Sequence, residues 1–200
     1  MKMPIKYLIA SSLFFCFSVL ANPSQELNQR LNKVTDLHAH FAQQVYTAEG
    51  QLVQQGKGEL WLKRPNLFRW HMTDPDESVL VSDGHALWFY NPFVEQVTIN
   101  DLNRVANNTP FMLIARNQPQ EWQKYTITQS GDHFTLKPKN NDHAPFEITV
   151  TPTGLIHAFV VKESDGQSTA YQLSAQSNTP SKADTFTFAL PEGVTVDDQR

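Results

Sequence analysis

Residues 60–70, "LWLKRPNLFRW", join two apolar, strand-like halves through Lys63, Arg64 and Pro65. The large apolar side chains on either side read as strands with at least one buried face. Pro65 lacks an N–H and biases the residue before it towards extended backbone, which places the Arg64 guanidinium at a strand end, on the rim of an apolar surface.

The same period continues outward from this stretch. In "LHAHFAQQVYT", residues 37–47, Leu37, Phe41 and Val45 share one face. Downstream, "SVLVS" and "HALWFY" flank Asp83-Gly84, a strong hairpin signal because both turn residues tolerate positive φ. Further turn signals recur at Glu49-Gly50, Asp74-Pro75, Asn91-Pro92, Gly131-Asp132, Thr153-Gly154 and Asp165-Gly166. About ten strands linked by short turns predict a mainly β fold with a few short helices, its antiparallel sheet curling into a barrel or half-barrel.

Helix signals are confined to two places. Ser24 is a candidate cap for a short helix in which Leu27, Leu31 and Val34 recur at helical spacing, with Glu26 in the first turn. Residues 100–124 lose the alternation and predict two short helices, one capped by Asn100 or Asp101, the other by Thr109 with Pro110 at its first position. The second, Phe111 to Arg116, is apolar almost all round and must lie against something apolar.

Residues 1–21 carry Lys2 and Lys6, an apolar run from Leu8 to Leu20, and Val19-Leu20-Ala21, the pattern of a removed secretory signal peptide. Phe14 and Phe15 precede Cys16 where a lipidation site needs small residues, which disfavours a lipid-anchored alternative. Residues 22–200 are then expected to form one domain. Without Lys2 and Lys6, 14 basic side chains face 20 acidic ones, a net charge near -6 that disfavours nucleic acid and anionic membrane as partners. Cys16 is the single cysteine, so the exported chain has no disulfide or thiol chemistry.

No nucleotide, dinucleotide, nucleophile-elbow or zinc-protease motif is present, and no cofactor is expected. His38 and His40 would share one face of a strand, as metal ligands do, yet no third ligand stands near them in the sequence, so the solvated-surface reading is preferred. "DPDES", residues 74–78, reads as a solvated turn rather than an acid-base pair. More conspicuous is the aromatic load of Trp61, Phe68, Trp70, Trp88, Phe89, Tyr90 and Phe93. Large aromatics in a sheet usually pack a core. Here the helical material is thin for so much sheet, which would leave an apolar hollow able to take a ligand.

Four stretches are also similar to a known family: "GELWLKRPNLFRW" (58–70), "LVSDGHALWFYNPFVEQV" (80–97), "NTPFMLIARN" (108–117) and "TFTFALPEGVTVDDQR" (185–200). They resemble the LolA family of periplasmic lipoprotein carriers, with the likeness running through essentially all of residues 22–200. The resemblance implies an incomplete antiparallel β-barrel with an α-helical lid over a hydrophobic cavity. It implies a monomeric, non-enzymatic carrier that takes lipoprotein acyl chains from an inner-membrane ABC transporter of the LolCDE type. It delivers them to an outer-membrane receptor, LolB.

On the same grounds Arg64 is expected to latch the lid by bonding its backbone carbonyls, at positions matching Leu31, Ile114 and Ala115. The cavity is expected to be lined by Val34, Phe68, Trp70, Phe89, Phe111, Met112 and Leu113, with Leu31. No metal is implied. Two other readings are a sensing module of the same barrel type, which would usually carry a second domain, and a secreted glycan-active enzyme, for which no carboxylate pair faces the aromatic surface.

Overall fold

The computed structural model describes residues 22–105, 110–140 and 144–200. The predicted leader and the Thr109 cap lie outside them. The described strands are β1 (Asp36–Tyr46), β2 (Leu52–Lys63), β3 (Leu67–Asp74), β4 (Ser78–Asp83), β5 (Ala86–Asn91) and β6 (Gln96–Asp101). They continue with β7 (Tyr125–Ser130), β8 (His133–Pro138), β9 (Phe146–Val150), β10 (Ile156–Lys162), β11 (Ser168–Ser177) and β12 (Thr195–Asp198). All twelve form one sheet in the order β12-β6-β5-β4-β3-β2-β1-β11-β10-β9-β8-β7. Two meanders, β1 to β6 and β7 to β11, are thus joined along the β1–β11 ladder, and β7 and β12 remain as separate edges.

The sheet curls on itself without closing. Side chains from β3 and from β10, well separated in the strand order, line one hollow. Register breaks in β1, β2 and β10 increase the local twist that this wrapping needs. Gly58 serves the same end: it lies opposite Phe41, and a Cβ there would overlap the His71 carbonyl and come within 2.7 Å of the Phe41 ring. Phe41 can therefore lie across the glycine and stack on Trp70, with ring centroids 3.5 Å apart.

One pairing departs from the expected antiparallel pattern: β12 runs parallel to β6. Its chain does not turn back in a hairpin. It leaves β11, crosses the outer face of the sheet, and reaches the β6 edge from the far side, the long connection that parallel pairing requires. Along the way Phe186 is buried, Arg69 on β3 approaches the Thr185 carbonyl at 3.5 Å, and Phe188 stacks on Trp88 at 5.6 Å. Trp88 and Tyr90 of β5 are consequently packed on the outer side beneath this strap, away from the main interior.

The helices differ in detail from the sequence expectation. α1 (Pro23–Leu31) is capped by the Asn22 side chain, not Ser24, because Pro23 takes the first helical position and the Asn22 Oδ1 accepts from the Ser24 N–H at 3.1 Å. Val34 lies beyond its end. Among the described residues of 100–124 there are three short helices rather than two: α2 (Leu102–Val105), capped by Asp101, then α3 (Pro110–Arg116) and α4 (Pro119–Trp122). Asn117, in the left-handed region at φ 45°, separates the last two. No helix among the described residues is long and apolar enough to cross a membrane.

Candidate functional site

α1 and α3 lie over the mouth of the curled sheet, and their apolar residues complete its interior. Leu27 and Leu31 of α1 and Met112, Leu113, Ile114 and Ala115 of α3 are buried in one cluster with Leu37, Leu60, Leu62, Phe68, Trp70 and Phe159 of the sheet. Met112 to Ala115, four residues that make a full turn of α3, are all buried, which is why that turn is apolar all round. Phe111 extends from it to within 4.4 Å of the Trp70 ring, 5.4 Å of Phe68 and 5.0 Å of Phe159, measured between ring centroids.

The cavity left around Phe111 is about 20 Å³, lined by Leu37, Leu60, Leu62, Phe68, Phe111, Ile114, Ile156, Phe159 and Leu173. That volume suits one water molecule and no alkyl chain. The interior is therefore filled by the protein's own plug, and a larger apolar guest requires α3 to lift.

Polar contacts hold the cover to the sheet. At the end of β2, the half-buried Arg64 donates from Nη2 to the Leu31 carbonyl at 2.8 Å, from Nε to Val34 at 2.5 Å, and from Nη1 to Ala115 at 2.6 Å. One guanidinium thus ties the sheet rim to the C-terminal ends of α1 and α3, where helices leave carbonyls unpaired and carry partial negative charge. Among the described residues no carboxylate pairs with it. Burial pushes its pKa down to about 10, so it stays a cation at neutral pH but a partly desolvated one.

α1 is held a second time. Arg30, only 7% exposed, donates to Glu26 at 2.7 Å, to Asp132 at 2.6 Å and to the Val150 carbonyl at 2.7 Å, over the Phe134 ring. These bonds fix α1 to the β7–β9 side of the sheet. α3 has no counterpart of Arg30 among the described residues, so the Arg64 bond to Ala115 is its main polar tie to the rim.

The expected site residues separate on this geometry. Leu31, Val34, Phe68, Trp70, Phe111, Met112, Leu113 and Ala115 all pack in or against the one cluster. Two assignments need correction. Ile114 offers Arg64 no carbonyl; its side chain faces the cavity, and the third acceptor is Val34, expected only as lining. Phe89 is 41% exposed: it shares its sheet face with Leu87, but the helices stop short of it. It instead borders, with Met72 and Ser78, a hollow of about 180 Å³ on the same inner face, beyond the reach of the helices. Leu37, Leu60 and Leu62 were readable from their alternation with polar neighbours. Ile156 and Phe159 were not, because a register break at the start of β10 puts two residues between successive inward positions.

A curled, unclosed sheet whose apolar interior is sealed by a helical cover held through breakable polar bonds is the architecture of a carrier for apolar ligands. Residues 32–189 match the family model described as outer membrane lipoprotein carrier protein LolA. The chain is 56% identical over 183 residues to the outer-membrane lipoprotein carrier protein of Yersinia enterocolitica, covering 90% of each. It is 58% identical to that of Edwardsiella ictaluri over 92% of this chain and 91% of the other. A crystal structure of an uncharacterized conserved protein from Thermus thermophilus is similar in fold, with TM-score 0.56 and 14% identity, covering 88% of this chain and 99% of that one. The chain belongs to the LolA family of outer membrane lipoprotein carrier proteins.

Proposed function

We propose that this protein carries lipoproteins through the periplasm by enclosing their acyl chains, after removal of residues 1–21 as a signal peptide. It acts as a monomer and catalyses no reaction. It receives cargo from an inner-membrane ABC transporter of the LolCDE type and releases it to the outer-membrane receptor LolB.

The single observation that carries this reading is the Arg64 clamp over an apolar interior. Each buried methylene contributes about 0.8 kcal/mol, so a long acyl chain in water costs on the order of 10 kcal/mol and cannot cross unaided. Yet a carrier that recovered all of that energy would not release its load. Hydrogen bonds to a charged group contribute roughly 1.5 to 3 kcal/mol each in favourable settings, and those at Arg64 re-form only when Phe111 returns to the vacant interior. The closed form thereby offsets part of the cargo's binding energy and biases transfer onward. With no nucleotide site in the sequence, the work of loading falls to the membrane partner.

The test is release from spheroplasts. The purified protein is mixed with spheroplasts making a labelled outer-membrane lipoprotein; its appearance in the soluble fraction, bound to the protein, is expected. A folded preparation that brings no lipoprotein into solution would overturn the proposal.

A further inference from the structure

His38 and His40, for which no third ligand was visible in the sequence, acquire one in the fold. Their spacing on β1 directs both imidazoles to the outer face of the sheet, opposite to Leu37, Ala39 and Phe41, which are buried inside. In the β1–β2 register Glu59 lies directly across from His40, and Trp61 directly across from His38. Glu59 is therefore brought to the two histidines by strand pairing over a sequence distance that no short motif spans.

The local geometry is compact. His38 Nε2 lies 2.8 Å from Glu59 Oε2, the two imidazole centroids are 5.9 Å apart, and one ligand atom from each of His38, His40 and Glu59 can be chosen so that all lie within 4.8 Å of one another. Trp61 stacks on the His38 ring at 4.7 Å with only 5° between the planes, which fixes the orientation of that imidazole. His40 is exposed and Glu59 half-buried, so the other two groups can close by side-chain rotation while the ladder beneath them stays rigid.

We propose that His38, His40 and Glu59 form a binding site for a borderline divalent transition-metal cation, of which zinc is the type. Two imidazoles and one carboxylate at bond lengths of about 2.0 to 2.2 Å suit zinc, nickel or copper, whereas magnesium and calcium take oxygen ligands throughout. Three protein ligands on a sheet face leave the fourth position open to solvent. A simple His38–Glu59 ion pair accounts for two of these residues. It would contribute little at a surface and gives no role to the second imidazole. His71, on the other side of Glu59 in the β2–β3 register, is engaged with Glu77 at 2.9 Å and stays outside the ligand set. Lys182 borders the adjoining hollow beside His38 and Trp61, and Arg69, across from Trp61 in the β2–β3 register, reaches the Thr185 carbonyl at the same hollow; these cations favour weak rather than permanent occupancy.

The experiment is calorimetric titration of the metal-stripped protein with zinc chloride, using His40→Gln, Glu59→Gln and, as a control on a distant strand, His157→Gln. Expected are one zinc per chain and roughly tenfold or greater weakening in His40→Gln and Glu59→Gln, with no change in His157→Gln. Because His40 is exposed, its replacement leaves the fold intact, which circular dichroism checks. Imidazole proton resonances of both His38 and His40 should shift on zinc addition. Parent-like affinity in His40→Gln, or no binding at about 1 mM zinc, would overturn the site.

Discussion

Asn28 and Asn117 exchange hydrogen bonds: the Asn28 side-chain amide donates to the Asn117 carbonyl at 2.8 Å, and the Asn117 amide donates to the Asn28 carbonyl at 2.9 Å. The buried Asn117 also accepts from the Trp122 indole at 2.8 Å and donates to the Asn32 side chain at 2.9 Å. It thus links α1 to the α3–α4 junction.

Asn117→Ala would remove the three bonds made by its side chain, keep the one accepted by its main-chain carbonyl, and leave an alanine at a positive φ. It is expected to lower stability by about 2 to 4 kcal/mol. Urea unfolding followed by Trp122 fluorescence measures this; a loss under about half a kcal/mol would mean that the junction is held elsewhere.

Arg64→Leu removes the three guanidinium bonds to the Leu31, Val34 and Ala115 carbonyls while keeping an aliphatic side chain, and leaves the Arg30 bonds that hold α1. Lipoprotein loading should persist and delivery to the receptor should slow, since closing no longer assists release. Arg64→Lys should lie between the two, because an ammonium cannot fork across carbonyls of Leu31, Val34 and Ala115 at once. Transfer of labelled lipoprotein to receptor-bearing membranes is the readout, and a parent-like rate in Arg64→Leu contradicts the clamp's role.

Phe111→Ala empties the space that the plug occupies. Stability should fall by about 2 to 4 kcal/mol, somewhat under the roughly 3 to 5 kcal/mol for a fully buried phenylalanine, because Phe111 is only half-buried. An apolar fluorescent dye should bind more strongly to this variant than to the parent. Unchanged dye binding would place the ligand space somewhere other than around Trp70 and Phe159.

Asp83 makes the β4–β5 hairpin sensitive to acid. Burial raises its pKa, but hydrogen bonds from the Ala86 N–H, the Trp88 indole and the His85 N–H, each 2.8 Å, outweigh that and hold it below the usual carboxylate range. A depressed carboxylate stabilises the fold above its unfolded value, about 3.9, and the contribution is lost as pH falls through the lower folded value. Asp83→Asn should cost about 1 kcal/mol at neutral pH through weakened hydrogen bonds, and flatten the stability profile below about pH 4. Denaturation midpoints at several acid pH values test this; an equally steep profile in the variant would assign the loss to other groups.

Much of the architecture was legible because it is local. Asp83-Gly84 set one hairpin by turn chemistry, and the break at Arg64-Pro65 separated β2 from β3. In residues 100–124 the Asp101 cap and the apolar composition of 111–115 were local signals, whereas the break at Asn117 that sets off α4 was not expected. What escaped depends on distant chain segments. The parallel β12 follows from a strap that crosses Trp88 and Tyr90, and no period in "TVDD" announces it. Alternation placed Phe89 on the inner face but could not tell how far the helices reach. Glu59 joins His38 and His40 only through strand register.

The unpaired edges at β7 and β12 bear on cargo size. A closed barrel fixes its bore by strand number and stagger. Among the described residues this wall has two free ends, so no closure condition fixes its girth, and the room inside is set by side-chain packing and the helical cover instead.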